Sequence, residues 1–273
     1  PISASCCAAS NPPPDPFETA SKTTAEAPTE GRITRVGPLP VVRRELTVKA
    51  VIDLTPTLRR ITLAGEALEG FHSPGADDHV KLFFPAPQGQ EEGARRDYTP
   101  RAHRPDVREL DLDFVMHGHG PGASWAAQAQ PGQTVTVGGP RGSTRVSYTF
   151  DWYLLAGDDA ALPAIARRLE ELPAGANVTV LLEVQDAASE LPLPTQAHAD
   201  VRWLHRGVAE PGTTSLLPGA VRALSLCAGE GFVWVGTEQA AAASIRAHLL
   251  EERGLRSEYV RCVGYWTRNA PQE

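Results

Sequence analysis

The sequence predicts two domains of different class, an N-terminal antiparallel Greek-key β-barrel and a C-terminal α/β domain built on a parallel sheet. Short β-like segments separated by turn residues fill residues 41–148, which is typical of a small all-β domain. From residue 149 onward, predicted strands alternate with predicted helices, which indicates a parallel sheet covered by helices. A chain of 273 residues is long enough for a core in each half.

In the first half, the segment 109–116 is the clearest strand, because apolar and polar residues alternate along it. This alternation turns four apolar side chains to one face, namely Leu110, Leu112, Phe114 and Met116. Turn residues such as Pro131-Gly132 separate the strands. The predicted strands are 44–53, 58–63, 79–84, 95–100, 109–117 and 133–137.

In the second half, short apolar runs predict buried strands, and longer segments between and after them predict helices. A ligand of such a sheet binds outside the carboxyl ends of the strands. The predicted strands are 152–156, 178–184, 201–204 and 232–236, and the predicted helices are 162–172 and 238–253.

Composition argues against two classes of partner. The net charge of −7 argues against nucleic acid, because proteins that bind phosphate backbones carry a basic face. No run of about 18 apolar residues occurs, so we expect no membrane span. Residues 1–40 are rich in Ala, Ser, Thr and Pro, and we expect them to be largely disordered. The four cysteines form no C-x-x-C pair, which favours reduced thiols in a cytoplasmic protein.

The segment Arg95-Arg96-Asp97-Tyr98-Thr99-Pro100-Arg101 carries the strongest chemical signal. Arg96 and Tyr98 project to the same face of an extended strand, and Thr99 stands where the strand ends. This geometry suits a flavin nucleotide. The guanidinium can pair with a pyrophosphate oxygen, the tyrosine can stack beside the flavin, and the threonine can reach the flavin's central nitrogen. Taken alone, the segment also fits an exposed edge strand without a ligand.

A glycine-rich stretch follows and leads into a short helix predicted at 124–130. Free backbone N–H groups at the start of this helix would offer a second anchor for a pyrophosphate, although Pro121 removes one of them. His117 and His119 form an H-x-H pair on the same turn. Because the phosphate contacts already require this turn, we predict no metal site there.

These two features resemble the R-x-Y-S/T and G-x-x-S pattern of flavoproteins of the ferredoxin-reductase type. From about residue 41 to its end, the chain is similar to the siderophore-interacting, ferric-siderophore reductase family. The motifs that carry this resemblance are DHVKLFFP at 78–85, PGQ at 131–133, GPRG at 139–142, GDDAALPAI at 157–165 and GYW at 264–266.

The resemblance implies FAD as cofactor. It assigns the FAD contacts to the R-x-Y-T strand, to the glycine-rich stretch and to a C-terminal tryptophan. The implied FAD-binding residues are Arg96, Tyr98, Thr99, Arg101, His117, Gly120, Gly122, Ala123, Ser124, Trp125 and Trp266.

The resemblance also implies that NADPH or NADH binds the α/β domain, at the glycine turn after the strand 152–156. From the residues alone, this turn is also explained by Asp159 capping the following helix. Family members usually carry Glu at this position. The implied nucleotide-binding residues are Gly157, Asp158, Asp159, Ala160, Pro163 and Glu238, with Arg246 as a cation for the ribose of NADPH.

A ferric siderophore is the substrate that the resemblance implies. Its catecholate or hydroxamate oxygens often make the iron complex an anion, which a basic pocket attracts. Lys81, Arg141 and Arg261 stand at the basic positions that such reductases use, although each one alone also fits a solvated surface cation. Reduction loosens the iron because Fe(II) is held less strongly by hard oxygen ligands. No catalytic acid or base is required.

We therefore predict a cytoplasmic, monomeric, FAD-dependent enzyme that uses NADPH or NADH to reduce ferric siderophores and release Fe(II). Ferredoxin is a second candidate electron donor. Two alternatives stay open. One is a general flavin-linked reductase with a protein or small quinone as acceptor, and the other is a siderophore- or flavin-binding protein without turnover.

Overall fold

The computed structural model describes residues 31–85, 93–118 and 120–268. The disorder predicted for residues 1–30 and the predicted role of His119 concern residues outside this part of the chain. No helix in the described ranges is long and apolar enough to cross a membrane.

Fourteen strands and four α-helices are present in the described residues. The first nine strands and the first helix are β1 (Ile33–Val36), β2 (Arg43–Thr55), β3 (Leu58–Ala64), β4 (Val80–Phe83), β5 (Arg95–Tyr98), β6 (Ala102–Arg104), β7 (Glu109–Val115), α1 (Pro121–Gln128), β8 (Thr134–Gly138) and β9 (Ser143–Val146). The remaining elements are β10 (Trp152–Asp158), α2 (Leu162–Glu171), β11 (Asn177–Val184), β12 (His198–His205), α3 (Leu216–Ala223), β13 (Gly231–Glu238), α4 (Gln239–Ala247) and β14 (Val260–Trp266).

Seven strands form an antiparallel sheet in the order β5-β4-β8-β2-β3-β7-β6. The alternation predicted for β7 is confirmed, since Leu110, Leu112 and Phe114 are buried and Met116 packs against the same core. The acidic side chains on the opposite face of β7 are also buried, because arginines cover them. Arg60, for example, donates to both oxygens of Asp113 at 2.7 and 2.8 Å.

A two-stranded sheet corrects the predicted extent of the disordered tail. β1 pairs antiparallel with β9, so residues 33–36 are strand within the predicted 1–40 segment. Ile33 also packs against the core beneath the parallel sheet. The composition of the whole tail hides this short strand, which is stabilised by a partner more than 100 residues away in sequence.

The second half forms a five-stranded parallel sheet in the order β12-β11-β10-β13-β14. All four predicted strands are present, and α2 ends one residue earlier than predicted. The predicted helix at 238–253 is α4, which continues as a π-helix over His248–Glu252. The sequence interpretation missed α3, whose Pro218 and Gly219 are helix breakers. Pro218 stands in the first turn, where no intrahelical N–H bond is lost.

Helix α2 joins the two sheets. Its Arg168 donates to buried Asp77 at 3.0 Å, and its Glu170 accepts from Arg101 at 2.9 Å. Both partners of α2 belong to the antiparallel half. These contacts hold the antiparallel sheet beside the carboxyl ends of the parallel strands.

Candidate active site between the two sheets

A cleft of about 1330 Å³ lies between the two sheets. One wall is built by β5, the end of β7 and the start of α1, and the other by the carboxyl ends of the parallel strands. The adjacent strands β10 and β13 lie where the strand order reverses, and this is where an open α/β sheet binds its ligand.

On the first wall, Arg96 and Tyr98 of β5 share one face, as predicted. The Arg96 guanidinium donates to the backbone carbonyl of Arg95 at 2.7 Å. Within the described ranges it forms no ion pair with a carboxylate, and it lines the cleft. Thr99 follows the strand, is buried, and contacts Tyr265 from the opposite wall.

Tyr98 is fixed by close packing. Its ring centroid lies 4.3 Å from that of Phe114, and burial raises the pKa of its phenol. A Cβ at Gly122 would lie 2.1 Å from the Tyr98 hydroxyl oxygen, so only glycine fits there. The Tyr98 ring therefore packs directly against the first turn of α1 and supports it.

Helix α1 begins at Pro121, three residues before the predicted start. Proline at the first helical position loses no intrahelical bond, and the N–H groups of Gly122 and Ala123 follow it without an intrahelical acceptor. Ser124 is exposed, and its N–H already donates to the Gly120 carbonyl at 3.0 Å. Among the described residues, the N–H groups of Gly122 and Ala123 therefore remain open to a ligand, whereas the N–H of Ser124 does not.

Three predicted FAD ligands lie away from the cleft wall, namely Arg101, Ser124 and Trp125. Trp125 packs against Phe84 and Phe114, with both centroid distances at 5.6 Å. Arg101 is 8% exposed and forms the ion pair with Glu170. The cleft is lined by five others of the predicted FAD ligands, namely His117, Gly120, Gly122, Ala123 and Trp266.

On the second wall, Asp158 ends β10 and is buried. Its carboxylate accepts hydrogen bonds from the Trp266 indole at 2.9 Å and from the Thr237 hydroxyl at 2.8 Å. Burial raises the pKa of Asp158 to about 6, although these hydrogen bonds oppose the shift. Gly157 precedes it in the strand, and a Cβ there would lie 2.6 Å from the Gly236 carbonyl oxygen, so glycine permits this close approach of β10 and β13.

Asp159 does not cap α2, and that alternative interpretation is wrong. No side chain caps this helix, and Asp159 instead accepts from Arg206 at 2.7 Å in a buried ion pair. Burial raises the pKa of Asp159, and the guanidinium opposes the shift. Ala160 and Pro163 line the cleft beside the pair.

The sequence interpretation missed Arg206. It directly follows β12, but the predicted strand stopped at residue 204, which hid its position at a strand end. The other predicted nucleotide contacts lie outside the wall. Glu238 caps α4 by accepting from the N–H groups of Ala240 and Ala241, and Arg246 is exposed on α4.

The three predicted substrate cations flank the segment 138–144. Lys81 pairs with Gly138 in the sheet and forms an ion pair with Asp97 at 2.8 Å. Arg141 is exposed. Of the three, Arg261 alone lines the cleft, where it lies 2.7 Å from Asp77.

Within the described residues, no group of three His, Cys, Asp or Glu side chains is placed to hold a metal ion.

Family models match almost the whole folded part of this chain. The model described as "Siderophore-interacting FAD-binding domain" matches residues 47–144, and "Siderophore-interacting protein" matches residues 150–269. A relative from Escherichia coli (strain K12), named NADPH-dependent ferric-chelate reductase, is 34% identical over 82% of this chain and 92% of its own length.

The chain belongs to the siderophore-interacting protein family. Ferric vibriobactin reductase ViuB from Vibrio cholerae, a further relative, is 31% identical over 81% of this chain and 88% of its own. Among solved structures, a siderophore utilization protein from T. fusca is similar with a TM-score of 0.82 and 41% identity. That match covers 87% of this chain and 98% of that protein.

More distant structures establish the fold of this siderophore-interacting protein. Phthalate dioxygenase reductase is similar with a TM-score of 0.58 at 15% identity, over 84% of this chain and 70% of that one. The protein therefore has a ferredoxin-reductase-like fold, with an antiparallel N-terminal sheet and a parallel C-terminal sheet.

Proposed function

We propose that this protein reduces ferric siderophores with electrons from NADPH or NADH, through bound FAD, and so releases Fe(II). The observation that carries the proposal is one cleft with two different walls. One wall offers a guanidinium and helix N–H groups that have no anionic partner among the described residues, and the other is the carboxyl edge of a parallel sheet. The names of the E. coli and V. cholerae relatives support the same reaction.

The first wall fits FAD. Arg96 and the N–H groups of Gly122 and Ala123 would hold the pyrophosphate, because no anion among the described residues pairs with these donors. Tyr98 and Thr99 would border the flavin. When bound, FAD would accept two electrons from the nicotinamide and release them singly to iron.

The second wall fits a nicotinamide dinucleotide. Asp158 and Asp159, at the carboxyl end of β10, are already hydrogen-bonded to neighbouring side chains. This wall therefore has its binding surface in place before a ligand arrives. Arg206 is the buried cation on this wall, and it stands nearer the strand ends than Arg246. NADPH is the favoured donor because the E. coli relative is named for it.

Arg261 is the residue we favour for attracting the ferric complex. Its partner Asp77 is also bound by buried Arg168, so two guanidinium groups share one carboxylate. The cluster therefore keeps one excess positive charge, and Arg261 is its cleft-facing member, with a side chain 39% exposed. Lys81 and Arg141 would extend this positive charge along residues 138–144.

An anaerobic assay tests the function. Protein loaded with FAD is mixed with NADPH or NADH, a ferric siderophore and a colorimetric Fe(II) trap. Trapped Fe(II) that requires nucleotide, FAD and protein together supports the proposal. FAD-loaded protein that oxidises NADPH but yields no Fe(II) supports a general flavin reductase, and protein that oxidises neither nucleotide contradicts the proposed donor.

The general flavin reductase is favoured by one observation, since both Lys81 and Arg261 already face a carboxylate. Variants decide between the two functions. Arg261→Ala should raise KM for the ferric siderophore several-fold while NADPH oxidation by a small artificial acceptor is unchanged. The matched control is Arg145→Ala, because Arg145 is an exposed arginine on β9 that lies outside the cleft.

Finer points belong to the same proposal. We assign residues 41–148 to FAD binding and 149–273 to the nucleotide. We also infer that the antiparallel sheet is a Greek-key barrel, because β5 also contacts β7 from across the sheet.

A cytoplasmic location suits a supply of NADPH. A monomer is supported by a cleft built from one chain, and ferredoxin is the donor to test if neither nucleotide works.

A further inference from the structure

The carboxylate of Asp158 binds three donors at the base of the cleft. One oxygen accepts from the Trp266 indole at 2.9 Å and from the Thr237 hydroxyl at 2.8 Å. The other accepts from the N–H of Ala160 at 3.0 Å. These donors come from the ends of β14 and β13 and from the turn after β10. Asp158 therefore ties together the elements around the crevice where the strand order reverses.

The far edge of the Trp266 indole is also held. Gly212 has φ of 72°, and a Cβ there would lie 2.8 Å from Cη2 of Trp266 and 3.0 Å from Cγ of Glu238. Because glycine has no Cβ, Gly212 leaves space for the indole. With its N–H bonded to Asp158 and its opposite edge against Gly212, the ring keeps one orientation and lines the cleft.

Trp266 is predicted to cover the flavin, and the structure shows which wall of the cleft carries it. The indole reaches from the end of β14 past Thr237 of β13 to Asp158 of β10, so it belongs to the wall formed by the parallel strands. A large flat aromatic surface suits stacking with a flat heteroaromatic ring. The crevice between β10 and β13 is also where such a sheet binds its dinucleotide.

We propose that Asp158 is a positioning residue that holds the Trp266 indole as the surface against which the nicotinamide ring packs. This inference rests on the proposed function, since it concerns how the electron donor is held. Asp158 touches no reacting atom in this account. It acts through Trp266, by removing the ordering cost that a mobile indole would add to nucleotide binding.

The test compares FAD-loaded wild type with Trp266→Phe, Asp158→Asn and the double variant. Phenylalanine keeps an aromatic ring but removes the N–H donor, and asparagine leaves one acceptor oxygen for three donors. We expect each single change to raise the Kd for NADP⁺ and the KM for NADPH about tenfold, with a smaller change in kcat. The double variant should be no worse than either single one, because both changes break the same bond.

Trp203→Phe is the matched control, since Trp203 lies on β12 outside the cleft wall. It should leave Kd and KM unchanged. A second readout needs no turnover. In the ¹H–¹⁵N spectrum, the indole resonance that disappears in Trp266→Phe should shift in Asp158→Asn and stay in place in Trp203→Phe.

Two results overturn the proposal alone: an unchanged Kd for NADP⁺ in Trp266→Phe, or additive losses in the double variant, while wild type oxidises NADPH normally. A wild-type protein that neither binds NADP⁺ nor oxidises NADPH or NADH overturns the nucleotide part of the proposed function together with this inference.

Discussion

The two walls of the cleft differ in the charge that they present. On the antiparallel side, Arg96 and the first N–H groups of α1 are donors with no anionic partner in the part of the chain that the structure describes. On the parallel side, Asp158 and Asp159 are buried acids, and the side chains around them already bond them. The first wall is completed by an anion that arrives with a ligand, whereas the second is complete before binding. The difference indicates that the first wall anchors charge and the second offers a preformed surface.

The largest effect is expected from adding one methyl group to the first wall. In Gly122→Ala, the new Cβ would meet the hydroxyl of Tyr98, so either the ring or α1 must move. We expect FAD retention on purification to be lost, together with about 1–3 kcal/mol of stability. Flavin absorbance and thermal unfolding measure the two effects.

Gly219→Ala in α3 is the control for that change, since a Cβ there meets nothing within 4 Å. Adding Tyr98→Phe to Gly122→Ala removes the clashing oxygen and should recover part of the stability. A Gly122→Ala protein that binds FAD like wild type would show that α1 is not braced by Tyr98.

Neighbouring arginines on β5 sharpen the account of the first wall. Arg96 lines the cleft and Arg95 is exposed on the opposite face. Arg96→Ala should weaken FAD binding by about 1.5–3 kcal/mol, the range for a hydrogen bond to a charged group. Arg95→Ala should change it little. Equal losses in the two variants, measured by fluorescence titration of apoprotein with FAD, would argue against a directed contact.

The second wall predicts an unusual pH dependence. The pKa of Asp158 in the folded protein is about 6, raised by burial from 3.8. The folded state therefore keeps this proton longer than the unfolded state, and the contribution of Asp158 to stability falls as pH rises from about 4 to 6. Between pH 7 and pH 5, wild type should gain roughly 1 kcal/mol relative to Asp158→Asn. The free energy of unfolding of both proteins is measured by urea unfolding at each pH. Equal pH dependence in wild type and Asp158→Asn would contradict the raised pKa of the buried Asp158 carboxyl.

Arg101 gives the smallest effect and separates a structural arginine from a ligand-binding one. Because its partner Glu170 is 39% exposed, replacing Arg101 by Met should cost only about 0.5–1 kcal/mol of unfolding free energy. FAD affinity should stay unchanged, in contrast to Arg96→Ala. An Arg101→Met variant that loses FAD but keeps its stability would show that Arg101 binds FAD.

Local patterns in the sequence predicted most strands of both sheets, because β7 alternates and the parallel strands are short apolar runs, but the predicted ranges did not include β6 or β14. They also predicted that Arg96 and Tyr98 share a face, since that depends only on strand geometry. Contacts between residues that are distant in sequence could not be predicted from these local patterns. β1 needs β9, Arg101 needs Glu170 and Trp266 needs Asp158, and each pair joins residues that are distant in sequence.

Helix boundaries were similarly obscured by proline and glycine. Pro121 starts α1 and Pro218 lies in the first turn of α3, although both residues usually signal breaks. Arg206 escaped notice because its strand was predicted one residue too short at that end.

The most direct test of the account is sequential anaerobic mixing followed by flavin absorbance. FAD-loaded protein is first mixed with one equivalent of NADPH and then with a ferric siderophore in the presence of an Fe(II) trap. We predict that the flavin band bleaches in the first step and returns in the second as Fe(II) is trapped. A bleached flavin that the ferric siderophore leaves unchanged would contradict the claim that this cleft passes electrons from nucleotide to iron.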